Sequence, residues 1–150
     1  MSRWALLLLA IGCSSNSSPA GEPLISGTVQ GSYDGNAFTP AFGFATMYQG
    51  QGLIGLADGP IHCGSEKMAN PPSGSGIIIA LPPLATGTYS SAFVQIFRNV
   101  GGYQAAGSTG TVTLTAVASS VAGSVDFSFT DTSNATYSAT GTFEVVNCMP

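Results

Sequence analysis

The sequence predicts an all-β body, an antiparallel β-sandwich or a small β-barrel of about eight strands behind a short helical leader. Three observations carry this. Apolar and polar residues alternate at period two along several segments, and glycine or proline interrupts nearly every stretch before it reaches helix length. Charge is also scarce: charged residues make up 7% of the chain and the net charge is −4, whereas an average soluble domain is roughly 25% charged. Serine, threonine and backbone therefore supply the polar surface. With three Lys/Arg in all, the chain has no basic footprint for nucleic acid and no polybasic membrane patch. Its 44% hydrophobic content suffices for one core.

The chain opens MSRWALLLLAIGC. Arg3 supplies a positive start, and the apolar run Trp4 to Ile11 falls far short of the roughly 20 residues that span a bilayer as a helix. A short apolar run behind a positive charge, closed by a small residue, reads as a signal peptide. Its end, Ala10-Ile11-Gly12-Cys13, resembles the lipobox of bacterial lipoproteins, with Ala10 where that family prefers leucine. The resemblance implies a signal peptide over 1–12, cleavage before Cys13 and a lipid on Cys13, so that the membrane becomes a partner through the N-terminus. Ser14, in place of aspartate, is similar to the sorting pattern of outer-membrane lipoproteins in Gram-negative bacteria and implies a cell-envelope location. The simpler alternative is an ordinary signal peptide cut elsewhere. Residues 13–23, rich in serine, read as a flexible tether, and residues 24–150 as the folded body.

With Cys13 assigned to lipid by that resemblance, Cys63 and Cys148 remain. An even pair in an exported chain reads as a disulfide, here one that pins the C-terminal end. The alternative is a metal-binding or nucleophilic cysteine.

Along the body, Ile25 to Gln30 alternates weakly. Asn36 to Tyr48 sets Phe38, Phe42, Phe44 and Tyr48 on one face, read as core, against Ala37, Ala41, Ala45 and Met47. Pro40 cannot donate to a strand ladder, so it marks an edge or bulge. Asp34-Gly35 suits a tight hairpin, and Leu53 to Ala57 could pair back across Gly50-Gln51-Gly52. Cys63 to Ser75 reads as a long loop with room for one helical turn. Ile77 to Leu81 is continuously apolar, as in a strand buried on both faces, and Thr88 to Arg98 carries apolar residues on both faces. The strongest alternation comes last, over Gly110 to Ala118, Gly123 to Thr130 and Ala139 to Val146, joined by turns short enough for a meander. Of the two architectures, the sandwich is the expectation.

Chemistry is thin. His62 is the sole imidazole and Lys67 the sole lysine, so a triad base would have to be His62, and no G-x-S-x-G elbow is present. Neither a zinc set nor a calcium loop can be assembled from one histidine, two paired cysteines and acids in turns. Asn134-Ala135-Thr136 matches a glycosylation pattern and reads as a turn. Tyr33, Tyr48 and Tyr103 could be surface contacts, and Gly101-Gly102-Tyr103 an exposed tip. The reading assigns no catalytic residue, metal or cofactor. Three classes of function stay open: a non-catalytic structural or interaction protein of the envelope with a protein or glycan partner, a β-domain holding a small apolar molecule or glycan, and an enzyme built around His62. A packed interior favours the first; an apolar cavity of several hundred cubic ångströms favours the second.

Overall fold

Two turns show how local sequence sets the fold. Asp34-Gly35 takes φ of 47° and 76°, and Gln49-Gly50 takes 51° and 81°. Two successive positive φ values make the two-residue turn whose twist matches that of the strands it joins. A computed structural model describes residues 20–67, 74–99 and 103–149. Its strands are β1 (Ser26–Gly27), β2 (Gln30–Tyr33), β3 (Asn36–Phe38), β4 (Phe42–Tyr48), β5 (Gln51–Ala57), β6 (Gly74–Leu81), β7 (Gly87–Asn99), β8 (Tyr103–Val117), β9 (Ser120–Thr130) and β10 (Thr136–Asn147), with one 3-10 turn at Ser65–Lys67. Cys13 and Gly101-Gly102 lie outside the described residues.

From β4 to β10 each strand pairs antiparallel with the next, and β10 returns to β4, closing a seven-stranded barrel. Of the two arrangements that the alternation allows, the chain adopts the barrel and not the sandwich. Register explains why. Val146 pairs with Phe44, and following partners through Gly55, Ile78, Gln95 and Gly107 leads round to the Thr130–Thr136 end of β10. One circuit thus climbs most of a strand, the steep stagger that lets a sheet close on itself. The long β7, β8 and β10, of 13, 15 and 12 residues, make that climb possible.

The interior is solid. Ile54, Ile77, Ile79, Val94, Ile96 and Val112 are all 0% exposed, joined by Phe127 and Phe143 at 2%. Burying each such side chain is worth about 1.5–3 kcal/mol. On β4 the inward positions are small, Gly43 and Ala45. A side chain at Gly43 would meet Val145 and Leu56, so this stretch of wall has no room for more. Phe42 and Phe44 consequently face out of the barrel, where Phe44 is still buried as the expectation of core requires, so the segment carries core on both faces. The expected break at Pro40 is real, because β3 ends at Phe38 and β4 begins only at Phe42.

Outside the barrel, Phe44, Ala57, Ile61 and Phe97 form a second buried cluster, with Phe42, Ile78, Val146 and Cys148 packed against it. It is covered by the strap 58–67, which delivers Ile61. The strap spans the weakest joint. Barrel closure between β4 and β10 is parallel and limited to Val146–Phe44 and Asn147–Ala45. Upstream of it the two strands part, and the N-terminal segment wedges between them. Gly43 N–H donates to Glu22 O (2.8 Å) and Leu24 N–H to Ala41 O (3.0 Å) on the β4 side. From Ile25 onward the segment pairs with β10, Ser26 opposite Glu144 and Tyr33 opposite Tyr137. Glu22 N–H also donates to Ile61 O (2.7 Å), and Cys148 N–H to Ala45 O (2.8 Å). The Cys63–Cys148 disulfide, with Cα atoms 5.6 Å apart, ties strap to C-terminus across the same joint.

Candidate functional site

Of the residues singled out by sequence, Cys63, Cys148 and His62 come together at the strap. His62 Nδ1 lies 2.9 Å from the Cys63 carbonyl oxygen, which only a protonated Nδ1 can satisfy. The His62 backbone N–H donates to Ser65 Oγ (3.0 Å), Ser65 N–H donates to His62 O (2.9 Å), and Gly64 N–H donates to the Glu66 carboxylate (3.0 Å). These bonds tie the turn that carries Cys63 and form a local knot. Among the described residues no three His, Cys, Asp or Glu side chains converge as a metal set.

A second polar cluster lies at the opposite end of β10. Tyr137 O–H donates to Asp131 Oδ2 (2.9 Å), and the Tyr137 ring meets Tyr33 edge-on at 4.9 Å. Tyr33, expected as a surface contact, is 9% exposed; its ring completes the core where β2 covers β10. Asp131 Oδ1 accepts from Ser133 Oγ (2.7 Å), Ser133 N–H (2.8 Å) and Ala135 N–H (2.9 Å). The Ser133 hydroxyl foremost holds the Asp131 carboxyl below its ordinary value; burial opposes it, and the Ala135 amide, the Tyr137 phenol and the Ser133 amide add to the lowering. Burial first, then the neighbouring carboxylate, push Tyr137 above the usual phenol range. The cluster orders the β9–β10 turn. Tyr48 accepts a hydrogen bond from Gln49 Nε2 (3.2 Å).

The third feature is a groove. Outward positions of β8, β9, β10 and β1 carry mainly hydroxyls, and register brings Thr88, Thr113, Ser124 and Thr142 into one cross-strand row. Thr88 and Thr113 Oγ1 atoms lie 3.1 Å apart, as do those of Thr28 and Thr142, which extends the row to the N-terminal segment. Beside this row is a surface depression of about 250 Å³, walled by Ser26, Thr115, Ala122, Ser124, Thr142 and Glu144. Its floor is backbone at Gly27 and Gly123, flanking Phe143, whose ring points into the barrel. A Cβ at Gly123 would collide with the Thr113 carbonyl oxygen, and one at Gly27 would press on the backbone of Thr142 and Phe143. The Glu144 carboxylate is fixed from both sides: Ser26 Oγ donates to Oε2 (3.1 Å) and Ser120 Oγ to Oε1 (2.7 Å).

Compared with protein families, with curated proteins and with solved structures, the chain matches none. The groove residues went unremarked as a site in the sequence. Their signal was the polar half of the last three alternating strands, where Thr113, Ser124 and Thr142 read as ordinary outward positions. Only register brings them side by side.

Proposed function

We propose that the protein is a lipid-anchored component of the cell envelope, in the outer membrane of a Gram-negative bacterium, acting by structural or binding work and not by catalysis. The observation that supports work at the outer surface is the filled barrel. Its axis is occupied by fully buried aliphatic side chains, with Ile54, Ile79 and Ile96 at 0% exposure. A barrel of this size either fills with side chains or holds one small ligand. Filling leaves the outer surface to meet a partner, so the reading of a ligand held inside is the weaker one.

The anchor rests on Ala10-Ile11-Gly12-Cys13 and the serine-rich stretch behind it. The test is fractionation with mass spectrometry of the mature N-terminus. The expected result is a membrane-bound protein beginning at a diacylglyceryl-modified Cys13, and Cys13→Ala should block processing or release it. A soluble wild-type protein with an unmodified N-terminus elsewhere overturns the anchor. For the non-catalytic reading, His62→Ala is compared with wild type on generic ester and peptide substrates. A hydrolytic activity that the folded variant loses overturns it.

A further inference from the structure

The geometry points to a carbohydrate-binding groove across the outer face of β8, β9, β10 and β1, one that takes an extended, neutral or amine-bearing polysaccharide strand. The inference rests on the proposal that the outer surface does the work, and it names the class of partner.

Shape comes first. At about 250 Å³ the depression is smaller than the roughly 300–1,000 Å³ of pockets that engulf a whole small molecule. It runs across strands, not along them, and the hydroxyl row continues past it to Thr88 on one side and Thr28 on the other. Neighbouring strands lie about 4.8 Å apart, close to the advance per ring of an extended pyranose chain. A chain laid along the row therefore meets a protein hydroxyl at nearly every ring. Gly27 and Gly123 contribute only backbone to the lining of the depression.

Chemistry selects the class. Threonine and serine hydroxyls donate and accept, as sugar hydroxyls do, while an ionised carboxylate only accepts. Glu144 is held by one serine hydroxyl on each oxygen, which leaves each oxygen further lone pairs for sugar O–H or ammonium groups. No Lys or Arg lines the depression. A phosphate, sulfate or uronate would face Glu144 with no compensating cation, and such a like-charge meeting rejects the wrong partner. An amino sugar gains where an acidic one loses. The open groove makes each contact weak, but many copies sharing a membrane would multiply the hold on a long chain.

The test uses the full-length protein in detergent and titrates three soluble probes by calorimetry: β-1,4-linked glucose oligomers, β-1,4-linked glucosamine oligomers and polygalacturonate. Expected are affinities that rise from dimer to tetramer for the first two probes and no binding of the third. Ala122→Trp, which fills the depression from an outward position, should abolish binding. Should that variant misfold by circular dichroism, Thr142→Val combined with Ser124→Ala keeps the shape and should weaken both oligomers on the order of tenfold. Glu144→Gln should weaken the glucosamine series several-fold and the glucose series by less, since only the first loses a charge partner. The groove is overturned by no binding of either tetramer at millimolar concentration, by equal binding of polygalacturonate, or by wild-type affinity in the folded variants. A membrane-bound protein that binds neither tetramer sinks the groove alone; a soluble one that binds sinks the anchor alone.

Discussion

Replacing both Cys63 and Cys148 with serine removes the only covalent tie across the β4–β10 joint among the described residues. The cysteines are 85 residues apart in sequence, and the chain-entropy relation gives about 4.6 kcal/mol for closing a loop of that length. This is an upper figure, because denatured chains are already compact and measured values often fall lower. A change of 1 kcal/mol moves the melting temperature of a domain this size by roughly 3–5 °C, so the ceiling is about 14–23 °C and a fall of at least ~5 °C is expected. The loss should also be local. Without the bridge, Ile61 and the strap keep only a few hydrogen bonds over Phe44 and Phe97, so amide exchange should rise first at Glu22, Ala45 and Cys148. The assay is thermal unfolding of wild type and double variant by circular dichroism, with exchange measured well below the transition. A melting temperature within ~3 °C of wild type, or protection at those amides unchanged, refutes the view that the bridge holds the joint closed.

Ile79→Ala empties a position at 0% exposure in the barrel axis and should cost about 2–5 kcal/mol in denaturant unfolding. Phe44→Ala, in the outer cluster, should cost about 3–5 kcal/mol and increase binding of a hydrophobic dye at the uncovered strap. His62→Ala should change stability by less than about 1 kcal/mol, since the ring bonds only to the adjacent carbonyl. For pH, the Asp131 carboxyl sits below its free value of 3.8, so its contribution is complete above that value and is lost as pH falls through the lower folded one. Tyr137 shifts the other way: its contribution is complete below the free phenol value of 10.0 and falls as pH rises above it. Unfolding midpoints across pH 2–12 check both signs. Asp131→Asn should flatten the acid limb, and Tyr137→Phe the alkaline one.

What the sequence revealed depended on how local the cause was. The last three strands were legible because each alternates cleanly, and Asp34-Gly35 announced its turn because those residues tolerate positive φ. The disulfide followed from there being two cysteines left to pair. Barrel against sandwich was not legible, since closure depends on accumulated stagger between strands and no single segment carries it. That Phe42 and Phe44 belong to a second core outside the barrel was hidden for a related reason. Alternation separates two faces but does not say which is inside, and here the choice was made by Val145 and Leu56 filling the space at Gly43. The groove was hidden in the same way, because Thr28 and Thr142 are neighbours only through pairing across more than a hundred residues.

The wedge at the joint also bears on mechanics. Residues 22–33 run antiparallel to β10, and the chain leaves at Gly21, where a Cβ would press on Phe42 and Pro60. A pull on the N-terminus is therefore directed along the strand axis, and the bonds from Glu22 to Tyr33 carry it together in shear. Unzipping would break them one at a time at far lower force. The first bonds loaded include Glu22 to Ile61, which passes tension into the strap and through the disulfide to the end of β10. Tension entering at Gly21 would thus load the closure through the strap and the disulfide together.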